Sequence, residues 1–73
     1  MDQPLDLRGL KCPMPALLAK RALLRTPPGI CLEVLTDDPL AALDVPHMCR
    51  NENFEVVSLE REGDRARMVL RRP

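Results

Sequence analysis

The stretch LDLRGLKCPMPALLAKRALLR, residues 5–25, changes its period halfway along. Leu5 and Leu7 alternate with Asp6 and Arg8, which predicts a short half-buried strand over residues 4–9, ended by Gly9. From Cys12 onward strong helix formers run to Arg25, where the TPPG of residues 26–29 stops them. On a helical wheel Leu18, Ala19, Ala22 and Leu23 form the core-facing side, while Lys20, Arg21 and Arg25 face away. Leu17 and Leu24 share the charged side, and partial burial against a loop is expected for them.

Outward from this unit the same alternation recurs. GICLEVLT, residues 29–36, reads as a second strand with Ile30, Leu32 and Val34 on one face. DDPLAALDVPHMCRNEN, residues 37–53, reads as a second helix capped by Asp37 or Asp38, with Pro39 in its first turn. Pro46 is expected to kink or split it after Val45, and Asn53 to end it in the left-handed conformation. FEVVSLER (residues 54–61) and RARMVLRR (residues 65–72) then form a hairpin around EGD. In the last strand Ala66, Met68 and Leu70 make an apolar face opposite Arg65, Arg67, Val69 and Arg71. The order βαβαββ predicts an α+β fold, a two-layer sandwich with two helices on one face of a mixed four-stranded sheet. One domain spanning residues 1–73 is expected.

A chain of 73 residues with one Phe and neither Tyr nor Trp must build a small core from aliphatic side chains. That leaves little room for an enclosed substrate pocket and directs any chemistry to the surface. Eleven basic and eleven acidic residues balance to zero, against a dedicated nucleic-acid binder. The charges cluster all the same: Arg8, Lys11, Lys20, Arg21 and Arg25 early, acidic residues in the middle, Arg65, Arg67, Arg71 and Arg72 late. Brought together, the two basic segments would form one positive face. The opening MDQPLDLRGL is acidic and carries no long apolar run, so no secretory leader is expected, and no segment has the length of a membrane span. Cys12, Cys31 and Cys49 fit neither a disulfide framework nor a paired metal motif, so reduced thiols, no metal and a cytoplasmic location are expected.

Cys12 stands out among the three. With Cys12 as N-cap, Pro13 and Pro15 fall at the first and third helical positions and remove two of the N–H groups a helix start leaves unpaired. The donor of Met14 remains to reach the sulfur. The positive helix terminus, with Lys11 and Arg8 close in sequence, favours thiolate over thiol. A hydrolase would require a Cys–His couple, yet the single histidine, His47, lies in the other helix. A nucleophile that holds and hands on a small group fits better. Cys49 is expected to be buried packing, Cys31 to be passive and His47 to be a surface residue.

These residues resemble a known family. LDLRGLKCPMP, with its Cys-Pro-x-Pro after an LD-RG strand, is similar to the signature of the TusA/SirA family of small sulfur carriers. The later Asp37-Asp38-Pro39, the Asp44–Pro46 segment, Cys49 and the C-terminal hairpin extend the resemblance over the whole chain. It implies a βαβαββ sandwich and a sulfur relay. Cys12 would accept sulfane sulfur as a persulfide from a cysteine desulfurase or other sulfurtransferase and pass it to an acceptor protein. It implies tRNA thiolation, molybdenum cofactor maturation or sulfur metabolism as destinations, and no cofactor beyond the persulfide sulfur. Gly9, Pro13, Met14 and Pro15 would position the sulfur, and Arg8, Lys11 and Asp38 would supply electrostatic or partner contacts. A monomer that binds no nucleic acid is expected. Near RNENF the chain departs from the pattern: Asn53 and Phe54 stand where many relatives carry Gly, often followed by His.

Two other classes compete. The same sandwich resembles the C-terminal domain of a bacterial translation initiation factor, and the Arg65, Arg67 and Arg71 face would then bind nucleic acid. A redox or regulatory protein forming a mixed disulfide through Cys12 is the third.

Overall fold

In the computed structural model, which describes residues 4–73, the elements run β1 (Leu5–Asp6), α1 (Met14–Arg25), β2 (Cys31–Thr36), α2 (Ala41–Asn51), β3 (Glu55–Glu62) and β4 (Arg65–Arg71). This is the expected α+β sandwich. The sheet order is β1-β2-β4-β3, with β1 parallel to β2 and the other neighbours antiparallel. The expectation of no secretory leader, drawn from residues 1–10, falls partly on residues 1–3, which lie outside the described residues. No helix among the described residues is long and apolar enough to cross a membrane.

The core lies between the sheet and one side of each helix. Leu32 and Val34 of β2, Ala66, Met68 and Leu70 of β4, Ala19 and Leu23 of α1, and Val45 and Cys49 of α2 are buried together. Leu18 and Ala22 pack against this cluster, as the helical wheel predicts. Ile30 falls outside β2 and is exposed, because the strand begins one residue later. Leu17 and Leu24 are more than half exposed at 55% and 54%, so no loop covers them as expected. β1 is shorter than its pattern, although the Leu7 N–H continues the pairing to the Leu35 carbonyl at 2.8 Å.

Pro46 does not split α2, which runs unbroken from Ala41 to Asn51. A proline inside a helix costs about 3 kcal/mol. Here Ala41, Ala42, Val45 and Cys49 bury one side of the helix on both sides of Pro46, and that packing offsets the loss. The end of α2 follows the sequence. Asn53 takes φ 61°, the Phe54 N–H reaches the Cys49 carbonyl at 2.7 Å, and the Asn53 N–H reaches that of Arg50 at 3.3 Å. This is a Schellman closure with Asn53 in the place glycine usually holds. Replacing Asn53 with alanine is expected to lower stability by about 1 kcal/mol, whereas glycine there should be tolerated, as read from urea midpoints.

The open face of the sheet is not a bare cationic surface. Arg67 pairs with Glu33 on one neighbouring strand and Glu60 on the other, and Arg71 pairs with Glu55. Lys20 pairs with Glu52 between the helices, and Arg8 shares a crevice with Arg61, Arg65 and Arg67. Arg21 and Arg25 border a separate hollow beside Leu5 and Leu7. Arg8 alone of the early basic residues shares the crevice of the late arginines, while Lys11, Lys20, Arg21 and Arg25 line other hollows, so the two segments do not merge into one positive face. The nucleic-acid reading loses its main support, since two of its three arginines are already matched by glutamates.

Candidate functional site

The loop between β1 and α1 is tied down from the opposite side of the molecule. The Gly9 N–H donates to Asp37 Oδ1 at 2.8 Å, and the Cys12 N–H donates to Asp38 Oδ2 at 2.8 Å. Gly9 turns the chain with φ 85°, a region that favours glycine. Asp37 and Asp38, expected as caps, do not cap α2, whose N-cap is Leu40 without a side-chain bond. Their carboxylates instead bridge 28 and 26 residues back, respectively, to the cysteine loop. Asp38 is thus tied directly to the cysteine backbone, a contact its sequence position did not indicate.

The helix start also differs from expectation by one residue. Pro13, joined to Cys12 by a cis peptide, is the N-cap of α1; Met14 begins the helix and Pro15 follows, buried. Cys12 thus stands just outside the helix. The Met14 N–H, expected to reach the sulfur, donates to the Lys11 carbonyl at 2.9 Å. Pro15 anchors the turn in the core, while Met14 stays 42% exposed beside the loop.

Cys12 is exposed. Its charge state is the opposite of the one expected. The thiol donates a hydrogen bond to Asp44 Oδ2 of α2. That bond holds its pKa above the ordinary cysteine value, with partial desolvation and the negative charges of Asp44 and Asp38 acting the same way. Arg8 does not counter this. Its guanidinium grips Asp6 through two bonds, at 2.8 and 2.7 Å, and pulls the Asp6 carboxyl down to about 2. Lys11 is exposed on the loop and borders a hollow with Gly9, Asp37 and Asp38. The surroundings of Cys12 therefore favour the thiol over the thiolate, because carboxylates rather than cations reach the sulfur.

Sequence reasoning placed Asp44 only inside a family-like segment and gave it no role. No local signal marks it, since its partner lies 32 residues away. His47 is exposed, as expected, in the groove between the helices that Pro13 and Asp44 also line. Cys49 is buried, with its thiol pushed up to about 11 by burial, and Cys31 is half-buried on the open sheet face. Among the described residues, no three His, Cys, Asp or Glu side chains gather as they would around a metal ion.

Fold and site together define a small α+β protein that presents one exposed thiol on a tied loop at a helix start. The profile of the family described as "Sulfurtransferase TusA" matches residues 3–72, and the chain belongs to that family. Its general role is that of a sulfur carrier or sulfurtransferase, with a sulfur donor and a sulfur acceptor as the classes of partner. Among solved structures, the SirA-like protein from Desulfitobacterium hafniense is similar in fold, with a TM-score of 0.77 over 93% of both chains at 23% identity.

Proposed function

We propose that Cys12 accepts a sulfane sulfur as a persulfide, from a cysteine desulfurase or another sulfurtransferase, and delivers it to an acceptor protein. The observation that carries this reading is the exposure of the Cys12 thiol on a backbone pinned by Asp38 and the buried Pro15. In loading, the Cys12 sulfur forms a bond to the outer sulfur of the donor persulfide. The donor's S–S bond breaks, its electron pair stays on the donor sulfur, and that sulfur takes up a proton as Cys12 gives one up. Atoms and electrons balance without an outside oxidant, so no cofactor is needed beyond the carried sulfur. The chain works as a cytoplasmic monomer in this reading, and the acceptor decides whether the sulfur reaches tRNA, molybdenum cofactor or another sulfur pathway.

Incubation with a cysteine desulfurase and cysteine, followed by intact-mass measurement, tests it. A gain of one sulfur is expected in the unaltered chain and in Cys49→Ser, and none in Cys12→Ser. No sulfur adduct from either a desulfurase or a thiosulfate sulfurtransferase would remove the carrier chemistry. A disulfide-linked partner without sulfur movement would support the redox class instead.

A further inference from the structure

The carboxylates around Cys12 have a consequence for which donors the site accepts. Asp44 holds the sulfur's proton from α2, and Asp38 holds the backbone N–H of the same residue from the loop before α2. Both ends of the cysteine are thus fixed by acids. Among the described residues Asp44 has no salt-bridge partner of its own. The cations nearby are otherwise placed: Lys20 is engaged by Glu52 across the groove, Arg8 by Asp6, and Lys11 lies on the loop by Asp37 and Asp38. His47 lines the same groove as Asp44 and Glu52 and is the remaining titratable group there.

We propose that Asp44 is a positioning residue that keeps the Cys12 thiol protonated in the free chain and thereby selects for a sulfur donor that brings a positively charged side chain to it. The proposal rests on the carrier reading of Cys12. A donor cation pairing with Asp44 withdraws the carboxylate from the thiol, and the freed sulfur is more readily ionised. A donor without such a cation meets a neutral thiol beside two negative charges, so an anionic persulfide is disfavoured twice. The bond changes of loading are those given above. Asp44 itself makes and breaks no covalent bond.

Two measurements on the full chain test this. In the first, alkylation of Cys12 by iodoacetamide is followed against pH, with peptide-resolved mass spectrometry. The Asp44→Asn midpoint should fall toward the ordinary value of about 8.5, and its rate at neutral pH should rise roughly three- to tenfold, the gain in thiolate being partly offset by weaker nucleophilicity. Asp44→Glu, which keeps the carboxylate, should stay nearer the unaltered chain, and Asp38→Asn should shift less. A loss of fold would not produce a lower midpoint together with an unchanged thermal transition. In the second, loading is compared between glutathione persulfide and the persulfide of a Lys-Cys-Lys peptide amide. The cationic donor should be faster on the unaltered chain, and the ratio should shrink in Asp44→Asn and at high salt.

An unaltered-chain midpoint at or below the ordinary cysteine value, or a donor ratio that neither Asp44→Asn nor salt changes, would overturn the proposal. The salt and unaltered-chain arms decide it even if Asp44→Asn does not fold. Alkylation involves no sulfur donor, so a failure of sulfur loading and a failure of this proposal are read separately.

Discussion

Leu23→Ala is expected to remove a large share of the chain's folding stability. Leu23 is fully buried, at 0% exposure, between α1 and the sheet. Truncating such a leucine costs about 2–5 kcal/mol, because transfer energy is lost and the space it leaves collapses only in part. A domain of this length holds roughly 4–11 kcal/mol in all. The core has few large side chains with which to refill the gap; Met68, Leu70, Val34 and Val45 are already fully buried. Urea unfolding followed by circular dichroism measures the loss. Leu24→Ala, one residue along the same helix but 54% exposed, should shift the midpoint little and serves as the control. A Leu23→Ala loss below about 1 kcal/mol would show that α1 is not seated as described.

The second large effect separates the thiols. Cys49 is fully buried and Cys12 exposed, so native alkylation should modify Cys12 and leave Cys49 untouched. Cys49 reacts only through opening of the fold. With roughly 4 kcal/mol or more of stability, the open form is suppressed about a thousandfold or more. Peptide-resolved labelling with and without urea reads this ratio directly, and comparable rates at Cys12 and Cys49 in the absence of denaturant would contradict the core assignment. A pH dependence accompanies it. Burial raises the Cys49 pKa from 9.0 to about 11, so the unfolded chain ionises this thiol first. The contribution to stability is complete below pH 9 and is lost as the pH rises through the window up to about 11.

Much of the fold is legible in local chemistry. The alternation of Leu32 and Val34, and of Ala66, Met68 and Leu70, matches strands buried on one face. Asn53 marks a helix end because its short polar side chain tolerates positive φ. Pro46 signals a split that does not occur, because the packing energy on either side of it is a property of the assembled core. Cys12 is conspicuous for its two prolines, but its charge state was not readable. Proximity in sequence put Lys11, Arg8 and the helix terminus beside the sulfur. The folded chain gives Arg8 to Asp6, the Met14 N–H to Lys11, and two distant aspartates to the cysteine.

By itself the sequence determined the order of elements, the apolar faces they bury and the placement of one cysteine before the first helix, since period, proline and turn chemistry act between near neighbours. Only the tertiary structure decided that Asp37 and Asp38 reach back to the cysteine loop, that Asp44 holds the thiol proton and that Arg67 and Arg71 are neutralised across the sheet. Those contacts join residues far apart along the chain. Which charges meet is set by how the helices and strands pack, and that packing fixes the protonation of the sulfur.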